Sequence, residues 1–99
     1  MRKYRCFRFS QKIKNIGVSE AKQHIIYGVC TDPQKTSVQE AAIRGLCREI
    51  AKHDEEGLYR FLTDNTIDHN YIEMTYHIRP NKLFEMKREF YKKYKSRFL

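Results

Sequence analysis

A chain of 99 residues, 40% hydrophobic, 13% aromatic and 32% charged, has room for one modest core but not two, and its composition excludes a disordered tail. Its formal net charge is +8, unevenly placed: residues 1–14 carry six bases and no acid, residues 79–99 eight bases against Glu85 and Glu89, and residues 15–78 six bases against ten acids. Two basic ends around an acidic middle point to a polyanionic partner, and nucleic acid comes ahead of a membrane because no apolar run approaches the ~20 residues that a span needs.

The basic N-terminal segment, residues 1–33, has two readings. "YRCFRF" reads as a short β-strand, yet Phe9, Ile13 and Ile16 fall at helical spacing, with Gly17 placed to end a helix. "SEAKQHIIYGVCTDP" opens on a capping residue, Ser19, and closes at Asp32-Pro33. Its run from Ile25 to Cys30 is short enough for a buried strand, while the helix formers of "SEAKQ" and the helical chain downstream favour a helix. From Ser37 the pattern is plainer. Ser37 with Glu40 fits a capping box, and Val38, Ala41, Ala42, Leu46, Ile50 and Ala51 repeat at helical spacing to about His53. In "DEEGLYRFLTDN" three acids favour the positive end of a helix dipole, and Leu58, Phe61 and Leu62 make the apolar face. Gly57 is an awkward interior residue that would move the helix start later. These two stretches form a central helical region, 37–64. Asn65-Thr66 break the chain, and Asp68 is placed to cap a helix running to about His77 through Tyr71, Ile72, Thr75 and Tyr76. A last helix begins near Pro80, where a missing N–H costs nothing, and runs to the terminus. No repeat, low-complexity tract or linker interrupts the chain, so the expectation is a single, mainly α domain over 1–99.

Cys6, Cys30 and Cys47 are odd in number and widely separated. Buried thiols are therefore expected, and neither a disulfide framework nor a zinc ribbon, since His24, His53, His69 and His77 supply no ligand spacing. The basic N-terminus is followed by no apolar signal core or small-residue cleavage site, which points to the cytoplasm. No Gly-rich phosphate loop, H-E-x-x-H or nucleophile motif is present, and "HDEE" at 53–56 is better explained as acids at a helix start. The expectation is a non-enzymatic protein without cofactor or metal.

Residues 68–99 carry the functional reading. Ile72, Tyr76, Ile78, Leu83 and Met86 fall at the intervals a helix-turn-helix buries: two in the first helix, one in the turn, two early in the second helix. Phe90 and Tyr94 continue that stripe by steps of four. Arg79, Asn81, Lys82, Glu85 and Arg88 are left on the outward side of the second helix. The stretch resembles the helix-turn-helix of small transcription regulators of bacteria, phages and mobile elements, sigma-factor region 4 especially, in which a pattern such as "EIAEILGISRSTV" stands where this chain has "YIEMTYHIRPNKL". The resemblance covers about a third of the chain. Two positions depart from it: Glu73 stands where a small residue is expected at the helix crossing, and His77 where a Gly of positive φ is expected in the turn.

The resemblance implies a major-groove recognition helix that begins with Arg79 and Asn81, suited to guanine or phosphate and to adenine respectively. Lys82 and Arg88 would contact bases or backbone, and Glu85 would accept from a cytosine amine. Phe84 would touch a thymine methyl or pack against the N-terminal segment. Lys92, Lys93, Lys95 and Arg97 lie too far along to read bases and would grip phosphates. Each has the plainer role of a solvated helix charge, with Glu85 and Glu89 supporting the helix beside neighbouring bases. One short recognition helix contacts few base pairs, which suggests a homodimer on half-sites about one helical turn apart. Two other readings stay open. One is a non-catalytic adaptor that binds a protein such as RNA polymerase through the acidic middle or an aromatic surface. The other is an RNA binder using the cations and rings of "RKYRCFRF".

Overall fold

The computed structural model describes residues 13, 14 and 16–99; the readings of "YRCFRF" and Phe9 lie outside them. Those residues form five α-helices and one 3-10 turn, with no strand among them: α1 (Glu20–Thr31), α2 (Ser37–Ala51), the 3-10 turn (Lys52–Asp54), α3 (Glu55–Thr63), α4 (His69–Tyr76) and α5 (Pro80–Phe98). None of these helices is long and apolar enough to cross a membrane.

The open choice at Ile25–Cys30 resolves as helix. Ser19 caps α1 by accepting from the Lys22 N–H, and Ile26 and Cys30, four apart, are buried while Ile25 is half exposed. The same face buries a polar residue, Gln23, which is 2% exposed. Its side-chain amide donates to the carbonyls of Ile13 (2.9 Å) and Val18 (3.0 Å), and its oxygen accepts from the Ile13 N–H (3.0 Å). The cost of burying an amide is offset because its polar atoms are bonded, and the chain ahead of α1 is thereby tied down onto the helix. Ile13 and Lys14 lie in no regular element. Gly17 takes a positive φ of 74° inside a bend at Ile16 and Gly17, where it turns the chain into α1 instead of ending a helix.

α2 differs from its sequence reading in two ways. The capping box is Thr36 with Gln39, one residue earlier than Ser37 with Glu40: the Gln39 N–H donates to the Thr36 hydroxyl and the Thr36 N–H to the Gln39 side chain. "TSVQE" satisfies the pattern in both frames, and in the observed one Glu40 points outward and accepts from the Tyr59 hydroxyl at 3.1 Å. The buried stripe is Ile43, Leu46, Cys47 and Ala51, with Ile50 half-buried, whereas Val38 is 76% exposed and Ala41 lies in solvent. Burying Ile43 removes more apolar surface from water than burying either alanine, so the helix turns that side inward. The helix also stops at Ala51 and not at His53, because Lys52 takes φ 54° and the chain tightens into the 3-10 turn.

α3 begins at Glu55, before Gly57, and buries Leu58, Phe61 and Leu62 as the sequence indicated. Its opening acids face α2: Arg44 lies 2.8 Å from Glu56 and 3.5 Å from Glu55, and Arg48 lies 3.3 Å from Glu55. Gly57 is not a defect. A Cβ there would lie 2.5 Å from Cδ1 of Ile78 and 3.1 Å from Cβ of Tyr76, so the bare backbone lets the end of α4 and the following turn press against α3. Ile78 is 1% exposed and has no room to yield.

Gly57→Ala is therefore expected to destabilise the domain by about 1–2 kcal/mol, overpacking outweighing the helix-propensity gain. Gly45→Ala, whose added Cβ meets nothing within 4 Å, should stabilise by about 0.5–1 kcal/mol. Urea midpoints that move in the same direction for both variants would contradict this account of Gly57.

Candidate nucleic-acid interface

The Asp68 carboxylate accepts from the Tyr71 N–H at 3.0 Å and starts α4, whose buried residue is Ile72. Tyr71 and Thr75 are exposed, and Tyr76, expected to be buried with Ile72, is half-buried. An eight-residue helix can turn only a narrow stripe inward, and Ile72 with the following Ile78 fills it. His77 ends α4 in the left-handed conformation, φ 61° and ψ 37°, its N–H donating to the Glu73 carbonyl. Ile78 inserts into the core, Arg79 is extended at ψ 148° as the residue before a proline must be, and Pro80 is the first helical residue of α5. The connector is thus three residues, 77–79. From α3, Arg60 donates to the Tyr76 hydroxyl at 3.2 Å, and its guanidinium lies 5.6 Å from the Tyr71 ring.

α5 has 19 residues and is about 28 Å long at roughly 1.5 Å per residue. Its inner face buries Leu83, Met86, Phe90, Tyr91 and Tyr94, with Phe90 fully enclosed and stacked obliquely on Tyr94. The opposite face carries Asn81, Glu85, Arg88, Lys92 and Lys95, spaced by fours and threes and therefore in one row. The first four are exposed and Lys95 is half exposed. Among the described residues, Arg88, Lys92 and Lys95 form no ion pair, and neither does Arg79 at the helix start. No side chain caps the α5 N-terminus.

The other cations of α5 are engaged. Lys82, expected to face outward, lies 2.9 Å from Asp54 of the 3-10 turn. Lys93 lies 3.6 Å from Glu49 of α2, and Arg97 donates to both oxygens of that carboxylate at 2.9 and 2.8 Å. The Arg97 bonds, helped by the charge of Lys93, hold Glu49 below its ordinary carboxylate range. Lys87 sits against the rings of Phe61 (5.7 Å) and Tyr91 (5.9 Å). Lys82, Lys93 and Arg97, expected to face outward or to grip phosphates, thus each form an intramolecular ion pair while staying partly exposed. The reason is rotational: they lie toward the flank that faces α2 and its 3-10 turn. Phe84 is 41% exposed and packs edge-on against Phe61 (5.8 Å) and His69 (5.6 Å), on α3 and α4.

Glu73, the awkward residue for a close crossing, is half-buried and forms no ion pair among the described residues. With Met74, His77 and Arg79 it lines an open hollow between the end of α4 and the start of α5. Met74, 79% exposed, is a surface apolar group that the sequence reading did not single out. Nor did it single out Glu49, or read Asp54 as more than a helix-start acid; their partners on α5 are 48 and 28 residues away. The buried thiols are chemically quiet: burial pushes Cys30 and Cys47 up to about 12, so both stay protonated at neutral pH. No group of three or more metal-ligating side chains occurs among the described residues.

A β-branched side chain tolerates the left-handed region poorly, so His77→Val should cost about 1–2 kcal/mol while His77→Gly should be at least as stable as the parent. Thermal unfolding of the pair tests this, and a valine variant as stable as the parent would contradict the fixed turn. The chain matches no protein-family model, curated protein or solved structure.

Proposed function

We propose that the protein is a non-catalytic, sequence-specific DNA-binding transcription regulator in which α4, the connector and α5 act as a helix-turn-helix. The observation that carries this reading is the row Asn81, Glu85, Arg88, Lys92 and Lys95, with Arg79 ahead of it: on one face, exposed but for the half-exposed Lys95, its bases without an ion pair among the described residues while those of the neighbouring flank are paired. A solvated helix of purely structural role gains from ion pairs wherever acids are in reach. Here the cations kept unpaired are those of the face turned away from the domain. The left-handed His77 and the buried Ile78 support the motif, since they set α5 at a fixed angle to α4. The row also matches what a major groove asks of a helix. Asn81 and Arg88 can bond base edges, Glu85 can accept from cytosine, and Lys92 and Lys95 approach phosphates further along. The uncapped N-terminus of α5 adds backbone donors and a positive dipole end at the leading edge. Lys82 and Phe84 leave the proposed contact set because Asp54 and the rings of Phe61 and His69 hold them. A B-form major groove admits this helix whereas that of an RNA duplex does not, so duplex DNA is the substrate. Two copies on half-sites about one helical turn apart would extend the short footprint.

A second reading, an adaptor for a protein such as RNA polymerase, is favoured by Met74 and Val38, large apolar side chains 79% and 76% exposed. Selection of duplexes from a random pool separates the two. The regulator should enrich one sequence, and the joint change Arg79→Ala, Asn81→Ala and Arg88→Ala should abolish the preference at about 1–3 kcal/mol per lost base contact. Arg88→Gln or Lys92→Gln should each flatten the dependence of log K on log salt by about 0.9. An adaptor would enrich nothing, and a preference that survives the triple change would sink the contact assignment.

A further inference from the structure

Lys82 and Lys93 are eleven residues apart, three helical turns, and so lie on one flank of α5 next to the exposed row. Each is met by an acid from the same stretch of chain, Asp54 in the 3-10 turn and Glu49 near the end of α2. Asp54 is the more enclosed, its side chain 15% exposed, while its partner Lys82 is 53% exposed. Glu49 is held in place by the two-pronged grip of Arg97. Half-exposed ion pairs of this kind add little to stability. They do change which charges a polyanion meets. With both lysines paired, Arg88, Lys92 and Lys95, with Arg79 ahead of the helix, remain as cations without an ion pair among the described residues, and the three on α5 lie on one face. With both free, the helix would be basic over two adjoining faces and could settle on phosphates in several rotations.

We infer that Asp54 and Glu49 are specificity-determining residues of the interface: by withholding Lys82 and Lys93 from phosphates, they restrict α5 to one rotational setting on the duplex and suppress binding to arbitrary sequence. This inference rests on the proposed DNA binding. Sequence-independent affinity comes almost wholly from phosphate neutralisation, so two fewer available cations weaken random-site binding more than binding at a site where base contacts also act. Discrimination gained by removing attraction to the wrong partner is the physical principle.

The test compares the parent with Asp54→Asn, Glu49→Gln, Arg88→Gln and the double variant Asp54→Asn with Lys82→Gln. Fluorescence anisotropy on a random-sequence duplex and on the selected duplex is followed across a salt series, with melting temperature as a folding control. Asp54→Asn, which releases Lys82, should steepen the random-duplex salt slope by about 0.9, one added phosphate contact, and Glu49→Gln, which releases Lys93 and Arg97, by about 0.9 to 1.8; both should raise random-duplex affinity severalfold, narrowing the gap to the selected site. The double variant should return the slope to the parent value, which a purely structural role for the ion pair would not produce. If the parent binds duplex through Arg88 but the slopes of Asp54→Asn and Glu49→Gln are unchanged or shallower, the inference fails while the functional reading stands. If neither the parent nor any variant binds duplex, both fail.

Discussion

The seating of Ile78 against the bare backbone of Gly57 is the contact on which the presentation of α5 depends. One side chain in the connector, 1% exposed, meets the one position of α3 where a side chain would collide with it and with Tyr76. Because His77 turns left-handed immediately before and Pro80 starts a helix two residues after, the connector has little conformational freedom left. α5 therefore leaves α4 in a direction set by packing, not by a flexible hinge. Leu83, Met86, Phe90 and Tyr94 then hold its whole length against the domain.

That fixed direction gives the charge pattern its meaning. A helix with eight bases in and before it would present a diffuse positive field if it rotated or hung free. Held by its apolar stripe, it turns one flank to the acids of α2 and the 3-10 turn and the adjoining face to solvent. The two sets differ only in rotation about the helix axis. Packing energy thus decides which cations pair with internal acids and which face solvent, although all carry the same charge.

The polar features of the interior follow a similar division of labour. Gln23 is buried because both ends of its amide are bonded to the chain before α1, which ties Ile13 and Val18 to the helical domain. Glu73 solves the opposite problem. It stands near the α4–α5 junction, half-buried, and lines the open hollow with Met74, His77 and Arg79, so its carboxylate is accommodated without full enclosure.

Local chemistry fixed much of this in advance. Caps at Ser19 and Asp68, Pro80 at a first helical position and the stripe Ile72, Ile78, Leu83, Met86, Phe90 and Tyr94 are short-range signals, legible because helix periodicity and termini depend on neighbours three or four residues away. Where two local solutions were both open, as with the capping frames at Thr36 and Ser37 or the apolar sides of α2, periodicity alone did not choose between them, and in α2 the larger apolar surface of Ile43 went inward. The fates of Lys82, Lys93 and Arg97, and the purpose of Gly57, were invisible in one dimension, since each depends on a group 19 to 48 residues away brought near only by packing. The sequence by itself determined where α4 and α5 begin and that the C-terminal helix is basic. Only the tertiary structure decided which of its charges face outward, because rotation about a helix axis is set by the sum of all the contacts on its buried side.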